Sequence, residues 1–415
     1  MYKKSWYLCA ALLLMEHAFG MFDNRFLVPS LMLKPFLIHT EGKHHHLIIQ
    51  PFAMTARSAF GRRAGIDEEH ELFELYGKYN QAEIDQALQK SGRTSASLFR
   101  SDWQGYLGGI PWIMAGHFDS FGLAAHYFYQ YNSYFGVGCR AYALHANSRM
   151  EMLKDPFQKN LFFSEPGDAR ELFLIKEQMN QALDLCPGIW RKNAFGDLDI
   201  YLWAGFERYY FLMCRRFNMG VDLGMLAPIA PARDINNPAS VALGGNKHWG
   251  MYVTLEGDFD VHEDIQGGFE LQMIKRFKRT YCDRLPAYQE PQNFGAIVGR
   301  VEVDPGFTLG FNPYVAFKGV RDGLGFLIAY NVTAHWCDSI RVCSNIDPNI
   351  SAAQGVSQWR SEHATLGVFY DCGYEWEDRG HAPVVNFTWD IPVEWLISQR
   401  SFRTHGISFL VEMEF

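Results

Sequence analysis

The sequence has no long apolar run after its N-terminal segment. A helix that crosses a bilayer needs about 20 consecutive, predominantly apolar residues. The best uncharged window of that length is Ser120–Cys139, and Gln130, Asn132 and Ser133 lie in its middle. These polar residues favour two strands joined by a tight turn, so the sequence does not predict a membrane-spanning helix.

Basic residues are outnumbered by acidic ones. The chain of 415 residues carries 38 Lys and Arg against 46 Asp and Glu, which gives a formal net charge of −8. Proteins that bind nucleic acids usually present a basic surface. No nucleic-acid partner is therefore predicted.

Cysteine is present but unevenly spaced. Cys9 lies in the N-terminal segment, and seven cysteines follow it. An odd number with scattered spacing favours neither a disulfide framework nor a CxxC zinc site. Cys337 and Cys343 could pair within one loop; otherwise the cysteines serve as isolated small apolar residues.

Sequence motifs of catalysis are absent as well. The chain has no GxSxG, no HExxH and no glycine-rich phosphate loop. His117, Asp119 and Ser120 resemble a hydrolase set in composition, but catalytic triads are defined by geometry rather than by closeness in sequence. Side chains of the His44–His46 run would alternate faces on an extended chain, which favours a solvated outer loop over a metal site. No catalytic residue, cofactor or metal ion is predicted, and the chain is not predicted to be an enzyme.

The N-terminus has the composition of a secretory signal peptide. Two lysines precede an uncharged apolar run, Ser5–Met15, and small residues follow at Ala18 and Gly20. We therefore predict a signal peptide at residues 1–20 and a mature chain of residues 21–415.

Much of the remaining sequence alternates apolar and polar residues. Aromatic residues make up 15% of the chain, yet the mean hydropathy is only −0.16. In Leu198–Glu207 and in Phe217–Met225, apolar residues occupy every second position. Successive side chains of a strand point to opposite faces, so each such segment predicts a strand with one apolar and one polar face. Eight or more segments of this kind predict an all-β, transmembrane antiparallel β-barrel rather than a secreted soluble β-sandwich.

The strand segments and turns together predict about 14 strands, with a range of about 12 to 16. The first strand is Arg25–Ile38, a turn lies near Asp119, and Ala296–Lys318 is one strand bent at Pro305. Both ends of the chain then lie on the periplasmic side, and short turns alternate with longer outer loops as in bacterial barrels.

Two segments interrupt the alternation. Gly61–Ser101 carries charges at helical spacing and is predicted to be a small helical insertion in the periplasm or in the lumen. Asn147–Asn193 is predicted to be a long outer loop that contains a helix at Asp168–Leu183. The rest of the mature chain is assigned to the barrel.

The last strand completes the pattern. Apolar side chains occupy its alternate positions, at Ile407, Phe409, Val411, Met413 and Phe415. The chain thereby resembles bacterial outer-membrane β-barrel proteins, whose closing strand commonly ends on Phe. The resemblance implies a location in the bacterial outer membrane, contact with its lipid, and recognition of the strand ending in Phe415 by the barrel-assembly machinery. By size the chain also resembles the long-chain fatty-acid transporter barrels, but the Asn-Pro-Ala segment of that family's hatch is missing near the N-terminus.

In such a barrel the polar face of each strand lines the lumen. The charged residues predicted to line it are Asp197, Asp199, Asp222, Glu256, Asp258, Glu270, Arg140, Arg216 and Arg300. Acidic side chains outnumber basic ones, and charged rings bias which ions enter a pore, so a cation-preferring lumen is predicted. The alternative is that water screens these charges near the strand ends, over about 8 Å at physiological salt.

These features predict an outer-membrane channel, or porin-like transporter, for the passive passage of small solutes. A plugged structural or adhesive barrel and a membrane-embedded barrel enzyme are the alternatives from other classes. The partners predicted are membrane lipid, the assembly machinery and small solutes, and the chain could associate as a homo-oligomer.

Overall fold

A computed structural model of the chain describes residues 25, 27, 44–63, 66–72, 79–80, 86–87, 89, 111–154, 167–186, 188–211, 214–288, 290, 295–373 and 382–415. The strands are β1 (His45–Arg63), β2 (Ile66–Glu71), β3 (Tyr79–Asn80), β4 (Pro111–Asn132), β5 (Phe135–Lys154), β6 (Ile189–Phe195), β7 (Leu198–Phe211), β8 (Cys214–Ala227), β9 (Gly250–His262), β10 (Ile265–Arg276), β11 (Arg279–Leu285), β12 (Ile297–Asp304), β13 (Thr308–Arg321), β14 (Leu324–His335), β15 (Ser339–Val342), β16 (Trp359–Asp371), β17 (Val384–Pro392) and β18 (Ser401–Glu414). The helices with assigned bounds are α1 (Gly167–Ala182) and α2 (Ile350–Ser357).

Twelve antiparallel strands form a closed barrel. In order around the wall they are β1, β18, β17, β16, β14, β13, β10, β9, β8, β7, β5 and β4, and β4 pairs with β1 again. Where β18 meets β1, the backbones of His45 and Phe415 exchange two hydrogen bonds of 3.0 Å and their rings stack. Closure removes the unpaired edges that a bilayer does not tolerate. The predicted all-β barrel is confirmed, and its twelve strands lie within the predicted range.

The two faces of the barrel wall differ in chemistry. On β7, Ile200 and Leu202 point outward and are 43% and 62% exposed, whereas Asp199 and Tyr201 point inward and are buried. Exposed apolar side chains on other barrel strands include Val221, Leu223, Met251, Phe311, Ile328, Leu366, Phe387 and Ile407. An apolar band around the outside of a closed barrel is the surface that lipid covers.

The two ends of the barrel differ in the length of their connections. One end, which we name the turn end, has the connections 133–134, 212–213, 263–264, 322–323 and 372–383. The other, the loop end, has the connections 64–110, 155–197, 228–249, 277–307, 336–358 and 393–400. Bacterial barrels have short periplasmic turns and longer extracellular loops, so the prediction is that the loop end faces the outside of the cell.

β4 runs without a break through Asp119, so the predicted turn is wrong. Asp119 pairs with Thr55 on one side and with Asn147 on the other, and it accepts a 2.8 Å hydrogen bond from the Thr55 hydroxyl. The apolar residues change face along this strand: Phe118 is buried inside, whereas Phe121 points outward and is exposed. The apolar residues therefore change face within one continuous strand, and this change in the sequence resembles two separate strands.

The predicted bent strand Ala296–Lys318 is also wrong, because it consists of two strands in different sheets. β12 forms a small sheet with β11 and β15 at the loop end, while β13 belongs to the barrel. Between them the Gly306 N–H donates a 2.8 Å hydrogen bond to Asp338 Oδ1, which holds the chain where it passes from one sheet to the other. The segment still crosses the barrel once, so the ends of all later strands agree with the predicted topology.

The segment Gly61–Ser101 joins β1 to β4 at the loop end, which contradicts a periplasmic position. Its described part includes β2, which pairs with β1, so the helical prediction is wrong for Ile66–Glu71; residues 86–87 and 89 are helical. β2 lies last in the order of the sheet. Charged residues are common on such edge strands. In β2 their spacing resembles that of a solvent-exposed helix, which explains the wrong prediction.

Four further predictions concern the outer loop and the N-terminus. The helix expected at Asp168–Leu183 is present as α1. The outer loop predicted at Asn147–Asn193 begins later, because β5 continues to Lys154. The signal peptide at residues 1–20 and most of the strand at Arg25–Ile38 lie outside the described residues.

Helices and cysteines contribute little to the architecture. In the described part of the chain, none of the helices is both long and apolar enough to span a membrane. The seven cysteines from Cys139 to Cys372 are all free, so Cys337 and Cys343 do not form the disulfide considered above.

Candidate functional site: the barrel interior

A buried arginine lies on the wall of the lumen formed by β5 and β7–β10, which we name the charged wall. The guanidinium nitrogens of Arg140 lie 3.7 Å from Asp199 Oδ2 and 3.8 Å from Asp222 Oδ2, and both carboxylates are fully buried. Tyr252 donates a 3.0 Å hydrogen bond to Asp199 Oδ2, and the guanidinium carbon lies 4.6 Å from the centre of the Tyr201 ring. In this Arg140 cluster, one buried cation compensates two buried carboxylates.

Glycines on neighbouring strands make room for the two tyrosines. A Cβ atom added at Gly138 would lie 2.3 Å from the Tyr201 ring, and one at Gly224 would lie 2.1 Å from the Tyr252 ring. Both distances are far shorter than a van der Waals contact. A larger residue at either position would displace a ring of the Arg140 cluster.

An acidic row lies on the same wall, closer to the turn end. Glu256 on β9 is directly opposite Glu270 on β10 and accepts a 2.5 Å hydrogen bond from the Trp203 indole. Asp258 accepts a hydrogen bond from the Tyr314 hydroxyl. These carboxylates lie close together, so the negative electrostatic potential is concentrated in this part of the lumen. Like charges at facing strand positions also repel each other.

Basic side chains balance the acids closest to the turn end. Arg216 Nε lies 3.4 Å from Glu207 Oε1 and 3.3 Å from Asp260 Oδ2. Lys318 Nζ lies 3.3 Å from Asp260 Oδ1. The charged wall therefore has the acidic row between two levels that contain arginine.

The opposite wall, formed by β14, β16–β18 and β1, is lined by uncharged polar groups and by the buried carboxyl groups of Asp390, Glu412 and Glu414. The Gln50 amide donates a 2.9 Å hydrogen bond to Ser408 Oγ, which lies 2.6 Å from Thr388 Oγ1. The Asn331 amide donates a 2.9 Å hydrogen bond to Thr365 Oγ1. Both walls therefore carry buried carboxyl groups, and the arginines described above lie on the charged wall.

Seven of the nine charged residues predicted to line the lumen lie on the inner face of barrel strands, and their role in lining a pore stays a prediction. They are Arg140, Arg216, Asp199, Asp222, Glu256, Asp258 and Glu270. Asp197 lies at the loop end, where its carboxylate accepts a 2.8 Å hydrogen bond from the Gly245 N–H and lies 2.8 Å from Arg276 Nη1. The lumen position predicted for Arg300 is wrong: this residue lies on β12, outside the barrel sheet, and is exposed.

The aromatic partners of these charges are missing from the predicted set. Tyr201 and Trp203 share the inner face of β7 with Asp199, and Tyr252 shares the inner face of β9 with Glu256. The period of two in the sequence already places each of them on the polar face. The position of each aromatic residue in the alternation therefore indicates that its ring points into the barrel. The apolar character of the ring alone favours a lipid-facing position.

A second buried arginine organises the loop end. The Arg284 guanidinium donates hydrogen bonds to the carbonyl oxygens of Ile235 at 2.5 Å, Leu183 at 2.7 Å and Gly295 at 3.2 Å, and to Asn236 Oδ1 at 3.0 Å. These acceptors belong to three different connections between barrel strands. One side chain therefore ties three outer loops together.

A buried carboxyl group closes the connection between β11 and β12. Glu290 Oε2 accepts a 2.7 Å hydrogen bond from the Ala287 N–H, and Oε1 accepts a 2.9 Å hydrogen bond from the Ala296 N–H. Burial raises the pKa of Glu290 to about 7, and these amide hydrogen bonds oppose the rise only in part. The group therefore changes its protonation near neutral pH.

The Glu290 connection is expected to open more readily at pH 8 than at pH 5. When it opens, the pKa of Glu290 returns from about 7 toward its ordinary value of 4.5. The stability gained from the raised pKa is complete below pH 4.5, is lost as the pH rises through 7, and amounts to about 3 kcal/mol. Subtilisin cleavage at residues 286–296, normalised to an unfolded substrate, measures the effect, and Glu290→Gln should remove it. Equal cleavage of the wild-type chain at both pH values would contradict the prediction.

Metal binding finds no support among the described side chains. No three His, Cys, Asp or Glu residues in the described ranges converge as metal ligands do. His45 and His46 belong to β1 at the turn end, which contradicts the predicted position in a solvated outer loop. His46 is buried with Nδ1 3.2 Å from Glu414 Oε1, and His45 stacks on Phe415.

The comparisons with known proteins agree with the fold. No protein-family model matches the sequence, and no curated protein does. An outer membrane channel from Pseudomonas putida F1 has a similar structure, with a TM-score of 0.50 and 9% identity over 92% of this chain and 100% of that chain. The transport unit of the autotransporter AIDA-I from Escherichia coli has a TM-score of 0.40 and 8% identity, over 94% of this chain and 95% of that chain. The toluene transporter TbuX from Ralstonia pickettii has a TM-score of 0.34 and 8% identity, over 97% and 99%.

The closed barrel, its apolar outer band and the likeness to the Pseudomonas putida channel define the class of protein. The chain has the fold of a bacterial outer-membrane β-barrel, as predicted, and this fold places it in the outer membrane. The sequence identities are far too low to infer a substrate from these proteins. A proposal for the function therefore has to rest on the chemistry of the lumen.

Proposed function

We propose that this protein is an outer-membrane channel through which small solutes pass passively. The observation that carries the proposal is the lumen, which has polar and charged groups on both walls inside a barrel with an apolar exterior. Buried polar groups cost free energy unless they are paired, so a barrel with only a structural role would be more stable with an apolar filling. A polar path for solutes would explain why the lumen contains these polar and charged groups.

The Arg140 cluster is the expected narrow level of this path. Arg140, Asp199 and Asp222 are 6%, 0% and 0% exposed, so solutes pass this level only when the cluster moves. The three side chains are joined by charge rather than by apolar packing. A polar or charged solute could replace part of those contacts during passage.

Liposome swelling tests the proposal directly. The purified chain, reconstituted in liposomes, should admit glycine faster than glucose and glucose faster than sucrose, because passage through a narrow polar lumen depends on size. Protein-free liposomes are the control. A plugged structural barrel would give neither swelling nor ion current in a planar bilayer, and that result would overturn the proposal.

The acidic row should make the channel prefer cations. Replacing both Glu256 and Glu270 by Gln should move the reversal potential in a potassium chloride gradient toward zero, because two negative charges leave the lumen. The matched control replaces Glu302 and Asp304 by their amides, since both acids lie on β12 outside the barrel sheet. Anion preference in the wild-type chain would contradict this assignment.

A further inference from the structure

We propose that a cavity at the loop end binds a small zwitterionic solute, such as a free α-amino acid, with its carboxylate on Arg233 and its ammonium on Asp283. The proposal rests on the channel function and gives it a substrate class. The site would hold the solute at the outer mouth before it enters the lumen.

The cavity has a volume of about 270 Å³. It lies among the β8–β9 connection, the β11–β12–β15 sheet and α2, and its lining includes Arg233, Asp283, Tyr281, Val241, Ile340 and Trp359. Sites for drug-sized ligands usually measure about 300–1,000 Å³. The cavity is therefore suited to a molecule of amino-acid size, with apolar side chains on one part of its wall.

Other charged groups around the cavity are engaged by the protein itself. Arg284 donates its hydrogen bonds to the loop acceptors described above. Arg25 donates to the carbonyl oxygens of Val356 at 2.5 Å and Ser357 at 3.0 Å. Asp338 accepts hydrogen bonds from Gly306 and, at 3.1 Å, from the His335 ring. These groups build the wall of the cavity.

Arg233 and Asp283 differ from them because both line the cavity but do not form an ion pair with each other. The Arg233 backbone N–H is held by Asn246 Oδ1 at 3.0 Å, and Asp283 Oδ1 accepts a 2.9 Å hydrogen bond from the Arg284 N–H. Among the described residues, the Arg233 guanidinium and Asp283 Oδ2 have no hydrogen-bond partner and form no ion pair. Burial raises the pKa of Asp283, and the positive charge of Arg233 acts in the opposite direction.

A zwitterion fits this pair better than an ion of either sign. The planar guanidinium binds a carboxylate through two parallel hydrogen bonds. An ammonium group next to that carboxylate would reach the Asp283 oxygen and stabilise its charged form. A simple anion or cation would satisfy only one of the two groups and leave the other half-buried charge without a partner in the cavity, which is less favourable.

Calorimetric titration of the full chain in detergent tests the site. L-Leucine should bind, while N-acetyl-L-leucine, which lacks the ammonium, and L-leucinamide, which lacks the carboxylate, should each bind at least about tenfold more weakly. Absence of leucine binding would overturn the proposal. Equal binding of leucine and either derivative would also overturn it, because one charge would then suffice.

Variants locate the site within the chain. Arg233→Gln and Asp283→Asn should each weaken leucine binding by about tenfold or more, while Arg300→Gln, at an exposed position on the neighbouring β12, should not change it. Heat-modifiable migration on a gel shows that each variant retains the barrel. If a variant loses the fold, the comparison of the three ligands on the wild-type chain still decides the question.

Binding and passage have separate readouts. Leucine binding without swelling in any solute would refute the channel and leave the site standing. Swelling without leucine binding would refute the site and leave the channel standing.

Discussion

Replacing Arg140 by methionine is expected to lower the free energy of unfolding of the barrel by about 3 to 5 kcal/mol. Methionine keeps the apolar stem of the side chain but removes the cation. Asp199 and Asp222 would then remain fully buried without the guanidinium that lies 3.7 and 3.8 Å from them. Urea titration of the chain folded in lipid vesicles, followed by tryptophan fluorescence, measures the change.

The control for this prediction removes all three charges together. The triple variant Arg140→Met, Asp199→Asn, Asp222→Asn should recover most of the lost stability, because neutral amides have nearly the shape of the carboxylates without their charge. The same stability in the single variant and the wild type, within about 0.5 kcal/mol, would contradict the role assigned to the cluster. Equal losses in the single and triple variants would show that packing, rather than charge, holds the site.

The second large effect is expected at Arg284, and it should be confined to the loop end. Arg284→Met removes four hydrogen bonds that a charged donor makes to three different connections. Each hydrogen bond to a charged group contributes about 1.5 to 3 kcal/mol, and the contributions of one side chain are not additive, so a local loss of about 3 kcal/mol or more is expected. Hydrogen exchange in residues 228–249 and 277–288 should become faster, while exchange in the barrel strands should not change.

Arg300→Met is the matched control for Arg284. Both arginines lie in the small sheet at the loop end, on the paired strands β11 and β12, but Arg300 is exposed. A surface substitution of this kind usually changes stability by less than about 0.5 kcal/mol. Similar exchange in the two variants would mean that the Arg284 hydrogen bonds do not hold the loops together.

Particular elements show how far the sequence carries the fold. The alternation in β7, β8 and β9 predicts both the strands and the faces on which Asp199, Asp222 and Glu256 lie, because a period of two is a local property of an extended chain. The same local property places Tyr201 and Tyr252 on the inner face. Their role beside Arg140 depends on neighbouring strands and is not encoded in one segment.

The errors also have physical causes. The sequence pattern divides β4 at Asp119 because Phe118 packs inside the barrel while Phe121 points outward, and apolar residues occur in both environments. The sequence pattern predicts a lumen position for Arg300 because β12 and β13 resemble one continuous strand. Pairing with β11 and β15, rather than the pattern of β12 itself, decides that it leaves the barrel.

The sequence by itself determined the all-β class, the antiparallel barrel, the apolar outer face and the polar lumen. These follow from alternation, which lipid outside and polar groups inside impose on every barrel strand. Only the tertiary structure decided the number of strands, the partners of Arg140, and the loop-end arrangements around Arg284 and between Arg233 and Asp283. These depend on residues that lie far apart in the chain and meet because the barrel closes and its outer connections fold over one end.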